Sequence, residues 1–313
     1  MKRLFGWCHG HPRSLRATQM AAVIAVAWSS AGEAMAASID VLWYSQGTNY
    51  NSQISTLAAG AGTYDPDGDG ALDWNLSFFD PLGPAPTFSD FDVFVIGSSQ
   101  TFGLGFDSTG ILNNKASIEG ARGTRTFLSG QDADWHYINS PGAVDNGPRG
   151  FLINAVNWAA SGSGLGIVSL PDGFSGSGSQ WWLDDDSFLK SELDGFLNYF
   201  QEESVVIPPA TATFPVNEGL TTAGLSNWGV SSHVGFDKAI PDYLSINDAG
   251  SQAGFSVTIV TESQAGGGTD GPPPSEEVPE PSTMLGILAL STLGGRSLLR
   301  RRRSEVDPVE PVV

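Results

Sequence analysis

The chain has 313 residues, 15 of them basic and 34 acidic. Nine of the basic residues lie in the two ends, so the body between them sets six basic against thirty acidic side chains, a charge of −24. Such a surface repels nucleic acid and anionic lipid headgroups, which excludes polyanion-binding functions. The single cysteine, Cys8, stands near the start; a chain trimmed of its leader has neither a disulfide nor a thiol nucleophile.

The first segment joins basic residues to an apolar run over 20–28 and then Ala34-Met35-Ala36, a small-x-small pattern. This is the order of a secretory signal peptide over 1–36, cut after Ala36. Nine apolar residues are too few for a membrane core that needs about 20. The body over 37–264 alternates strand-length apolar runs with segments of helical period, which predicts an α/β sheet with crossover helices. Strands are expected over 39–43, 91–96, 125–128 and 165–170, with helices near 51–59, 111–120 and 151–159. Leu189, Leu193, Phe196, Leu197 and Phe200 recur at helical spacing and predict a further amphipathic helix. Short runs over 205–207 and 255–260 are expected as outer strands.

Ligands of open α/β sheets bind beyond the carboxyl ends of the strands. Three of those ends are alike: Ser45 and Gln46, then Ser98, Ser99 and Gln100, then Ser129 and Gln131. Hydroxyl, amide and glycine backbone at one crevice suit a polyol or a carboxylate, although a Gly- and Ser-rich chain also places such residues in ordinary loops. Asp132-Ala133-Asp134-Trp135-His136 would place two carboxylates and an imidazole on one side of an extended segment, as metal ligands or as a hydrogen-bonded loop network. His136 and His233 are the histidines remaining after leader removal. With His233 as general base, Ser129 is the nearest nucleophile candidate, which makes Ser129, Asp132, His136 and His233 the catalytic candidates.

Asp65, Asp67, Asp69 and Asp73 follow calcium-loop spacing, with Gly70 at the sharp turn but Leu76 where a bidentate acid would stand. Ca2+ is the cation this spacing suits; a solvated acidic turn is the other reading. Trp181 and Trp182 before Asp184, Asp185 and Asp186 suggest a sugar platform, or an acidic start to the helix that follows. Asn227 and Gly229 around Trp228 suggest a tight turn before His233.

Glycines 266–268 and prolines 272–274 mark a linker over 265–278. Pro279, Glu280 and Pro281 follow, then an apolar run interrupted by Arg296, the cluster Arg300, Arg301, Arg302 and Arg303, and an acidic tail over 304–313. The segment 279–303 resembles the PEP-CTERM sorting signal, in which a Pro-Glu-Pro motif precedes a short membrane helix and an arginine cluster. The resemblance implies export, through the Sec machinery. It also implies an inner-membrane anchor with its arginines held in the cytoplasm, cleavage by an exosortase-type protease, and release towards the cell surface.

The body resembles the class I glutamine amidotransferase-like fold, in its trehalose-utilisation branch, which implies a single flavodoxin-like, doubly wound, mostly parallel sheet. The opening strand and helix, Asp92-Val93-Phe94-Val95-Ile96-Gly97, and Phe214-Pro215-Val216-Asn217-Glu218-Gly219-Leu220 leading to Ser232-His233 carry that resemblance. Glutaminases of this family use a cysteine at the elbow that here reads Leu128-Ser129-Gly130-Gln131-Asp132, so cysteine-dependent glutaminase activity is excluded. Together these readings point to an exported surface or matrix protein that binds a polar ligand, such as extracellular polysaccharide. The alternative is a divergent hydrolase of a glycan or amide.

Overall fold

A computed structural model describes residues 38–98, 106–139, 145–170 and 181–262. All of them lie in one compact unit. The expected leader and linker, the sorting segment, Ser99 and Gln100 lie outside the described residues.

Five strands form the parallel part of the sheet. They are β1 (Ile39–Tyr44), β2 (Trp74–Phe79), β3 (Val93–Ile96), β4 (Arg122–Ser129) and β5 (Leu165–Ser169). Their order is β2-β1-β3-β5-β4, with every neighbouring pair parallel. The domain is thus α/β with a mostly parallel core. A flavodoxin sheet runs 2-1-3-4-5; here β5 is slotted between β3 and β4, so the last two strands are exchanged. β3 and β5 are buried throughout because both sheet faces are covered, which is why they read as unbroken apolar runs.

Alternate side chains of each strand feed opposite layers. Val41, Trp43, Val93 and Val95 pack with helix α1 (Thr48–Ala61) and helix α5 (Pro148–Ala160). Leu42, Tyr44, Phe94 and Ile96 pack on the other face with Ile111 and Ile118, from helices α2 (Thr109–Leu112) and α3 (Lys115–Ala121). α1 buries Tyr50, Ile54, Leu57 and Ala61, spaced three or four apart as an amphipathic stripe requires. Gly47, at φ +106°, makes the turn from β1 into α1, a backbone angle that favours glycine. The expected helix over 111–120 is broken into α2 and α3 at Asn113 and Asn114.

Beyond β4 the sheet turns antiparallel. β10 (Phe255–Thr261) pairs with β4, β8 (Ser232–Asp237) and β9 (Leu244–Ala249), so the run expected as an outer strand is internal. β8 carries β6 (Leu197–Glu202) at the far edge, and the two-residue β7 (Val205–Val206) pairs with β9. The helix expected over 189–200 is corrected. Only α6 (Lys190–Leu193) is helical; Gly195, at φ +84°, then turns the chain into β6. Asp194-Gly195 is a turn signal inside the periodic run, and the residues after it are rich in aromatics that fit a pleated surface.

Candidate functional site at the carboxyl edge of the sheet

β4 delivers the chain to the carboxyl edge at Ser129. Gly130 follows with no room for a side chain, since a Cβ there would stand 2.0 Å from the Val234 carbonyl of β8. Asp132 then opens helix α4 (Ala133–Asn139), its carbonyl accepting from the His136 amide at 3.1 Å. The extended arrangement expected for this segment is therefore replaced by a helix. One turn apart, Asp132 and His136 face each other, while Asp134 is rotated by about 200° to another surface.

The Asp132 carboxylate is 1 % exposed and lies between two imidazoles. His136 Nε2 is 3.2 Å from Oδ1, and Nε2 of His233, on β8, is 3.7 Å from Oδ2. His136 Nε2 is also 3.0 Å from the Val230 carbonyl, which only accepts, so this nitrogen carries a proton. Burial works against the His136 charge. The Asp132 hydrogen bond and charge, with the Val230 carbonyl and Asp134 adding to them, outweigh it and raise the imidazole above its usual value. Trp228 packs on His136 with ring centroids 5.3 Å apart. The expected tight turn is present: Asn227, Gly229 and Val230 have φ of 62°, 95° and 147°. Positive φ strains a β-branched residue, and it is the strained Val230 whose carbonyl meets His136.

Asp134 is fully buried and belongs to a second network. Its Oδ2 accepts from the Tyr50 hydroxyl at 2.8 Å and from the Ser98 amide at 2.9 Å, while Trp43 Nε1 donates to the Tyr50 oxygen at 2.9 Å. Its Oδ1 receives no hydrogen bond among the described residues. Burial pushes the Asp134 carboxyl up to about 6, and the Asp132 charge adds to this although the Tyr50 and Ser98 hydrogen bonds oppose it. Everything converges on Gly97. A Cβ at that position would lie 2.1 Å from the Tyr50 hydroxyl, 2.5 Å from Asp134 Oδ2 and 3.0 Å from Gln46 Nε2.

The structure thus brings together Asp132, His136 and His233, and sets Asp134 beside Ser98 and Gln46. It does not bring Ser129 to the histidines. The Ser129 hydroxyl lies 2.9 Å from Thr258 Oγ1 and 3.3 Å from the Val257 carbonyl, and accepts from the Gln131 amide at 3.1 Å. Gln131 is turned inward, donating to the Leu225 carbonyl at 3.1 Å and accepting from Thr258. The Ser45 hydroxyl accepts from Asn51 at 2.7 Å. Tyr50, Gly97, Trp228 and Val230 were not legible as site residues, because each reaches the edge from another element through tertiary contact.

The acidic loop lies at the other end of α1, a helix about 21 Å long at 1.5 Å per residue. Asp65, Asp67 and Asp69 each offer a carboxylate oxygen, all within 4.8 Å of one another. Asp73 is not among them; its carboxylate packs on Gly62. Glu218, unsuspected from the sequence, joins the cluster from a turn that Asn154 holds through the Val216 and Glu218 carbonyls. Its carboxyl is raised by partial burial and then by the charges of Asp67, Asp69 and Asp65. These four acids, with Tyr64 and Trp158, line a cleft of about 330 Å³.

Trp181 and Trp182 offer no sugar platform, since both are buried; Trp182 stacks on Phe236 at 5.7 Å and donates to Ser169 at 2.8 Å. The acidic residues beside them do not cap α6 through their side chains: Asp184 accepts from the Asp186 amide, and Asp185 pairs with Lys190.

The fold and this edge define a mixed α/β domain with a buried carboxylate–imidazole cluster where such sheets bind ligands. Residues 277–303 match the PEP-CTERM protein-sorting motif. The protein is accordingly exported and is an exosortase substrate, held by a C-terminal membrane anchor before processing. Among the described residues no helix is long and apolar enough to cross a membrane, and the sorting segment lies outside them. No curated protein and no solved structure matches the chain.

Proposed function

We propose that this exosortase-sorted protein acts at the cell surface or in the extracellular matrix, where its α/β body binds a polar ligand at the carboxyl edge. Polysaccharide hydroxyls are the chemistry that fits. The observation that carries this reading is the Asp132 carboxylate held between His136 and His233. In the neighbouring network, the Asp134 Oδ1 acceptor takes no hydrogen bond among the described residues. Buried acceptors of this kind favour a ligand that brings donors. The amidotransferase-like resemblance supports the same edge, because ligands of doubly wound sheets bind there. A serine hydrolase is disfavoured by the Ser129 hydroxyl, which is bonded to β10 rather than to a histidine. Calorimetric titration of the mature protein with polysaccharide from its own cells tests the proposal. Binding is expected to be lost in Asp132→Ala and His233→Ala; retention of parental affinity in both variants refutes it.

A second reading, calcium binding at the acidic loop, is favoured by the convergence of Asp65, Asp67 and Asp69 with Glu218 as a fourth acid. Glu218 would stand in for the bidentate acid that the loop lacks at Leu76.

A further inference from the structure

We propose that Asn75 is an N-glycosylation site. The chain contains one Asn-x-Ser/Thr sequence, Asn75-Leu76-Ser77, with no proline between, and Asp73 places an acid two residues before the acceptor. The sequence pattern alone is short enough to occur by chance; its placement is what gives it weight. Asn75 is exposed, and it sits on β2, the outermost strand of the parallel half, held by β1 alone. The chain is exported, which takes it past the compartment where lipid-linked glycans are transferred to protein.

The local chemistry is compatible with both acceptor and product. Asn75 Nδ2 donates to Asp40 Oδ1 at 2.6 Å, directly across the β1–β2 register. An amide NH2 has two hydrogens, and N-glycosylation replaces one. The amide nitrogen forms a bond to the anomeric carbon of a polyprenyl-diphosphate-linked glycan and gives up a proton to the transferase's base. The anomeric carbon–oxygen bond breaks, and its electron pair leaves with the polyprenyl diphosphate. The remaining N–H still reaches Asp40, so the folded strand tolerates the product. Because Asn75 lies in a paired strand, transfer precedes the docking of β2 on β1. Asn75 is near the amino end of β2, with four further residues, about 13 Å, between it and the carboxyl edge, so a glycan there leaves the Asp132 site uncovered.

The test is peptide mass spectrometry of the secreted protein from its native host. Chymotrypsin is the enzyme of choice, because no lysine or arginine occurs between Arg16 and Lys115. The peptide carrying Asn75 is expected to gain the mass of a sum of sugar residues. That gain is expected to vanish in Asn75→Gln and in Ser77→Ala and to persist in Ser77→Thr, with matching thermal melts confirming folding. Recovery of the peptide only at its unmodified mass, or a gain that survives Asn75→Gln, overturns the proposal. Neither result bears on ligand binding at Asp132, which is read by titration.

Discussion

Replacing Asp134 by asparagine tests the electrostatics of the carboxyl edge directly. The carboxyl is fully buried and moves from 3.8 to about 6 on folding, chiefly through burial. At ~1.4 kcal/mol per unit, that shift makes the ionised group cost the folded state ~3 kcal/mol at neutral pH. The sign follows from proton counting. Between about pH 4 and 6 the folded chain binds more protons at this position than the unfolded chain, so stability is greatest below the unfolded value and is lost as pH rises through the folded one. His136 acts in the same direction but at higher pH, its folded value being raised above 6.5. Asparagine keeps an oxygen for Tyr50 and Ser98 but sets an amide NH2 where Oδ1 stood, which returns about 1–3 kcal/mol of the gain if that group finds no acceptor. Denaturant unfolding at half-unit intervals from pH 4 to 8 is the assay. The parent is expected to lose stability across pH 4–6, the variant to show a flatter profile there, and a His136→Gln control to keep the parental slope in that window. Parallel profiles for parent and Asp134→Asn refute the reasoning.

Two further outcomes are expected. Gly97→Ala would drive a methyl to 2.1 Å from the Tyr50 hydroxyl and 2.5 Å from Asp134, and overpacking of this kind costs about 1–3 kcal/mol, read as a lowered denaturation midpoint; an unchanged midpoint would mean that the two networks do not converge there. Calcium titration of the parent beside an Asp67→Ala, Asp69→Ala double variant is expected to show binding in the parent alone, with Glu218→Gln weakening it; identical isotherms for all three remove the calcium reading.

Much of the parallel core was legible because burial on both faces imposes a local signature. β1, β3 and β5 each coincide with an apolar run, β4 only at Phe127 and Leu128, and α1 and α5 coincide with a helical stripe. Local pattern failed where two periods overlap. Leu193, Phe196, Leu197 and Phe200 satisfy a helix, yet Gly195 turns the chain and the residues beyond it pair with β8. β2 carries the period-2 alternation of a half-buried strand from Trp74 to Phe78, but only its pairing with β1 places it in the sheet.

The sequence by itself determined the destination of the chain, since a sorting signal is read as a short linear string by the machinery that handles it, and 277–303 carries one. It also determined the acidic body. Tertiary structure decided the site. Asp132 and His136 meet because a helix turn sets their spacing, but His233 comes from a strand about a hundred residues later, and Tyr50 and Gly97 arrive from α1 and the end of β3. No local pattern encodes those meetings, because they depend on strand order. The exchange of β4 and β5 and the antiparallel pairing of β10 with β8 are set by which surfaces bury best together, and they bring β8 beside the Asp132 carboxylate.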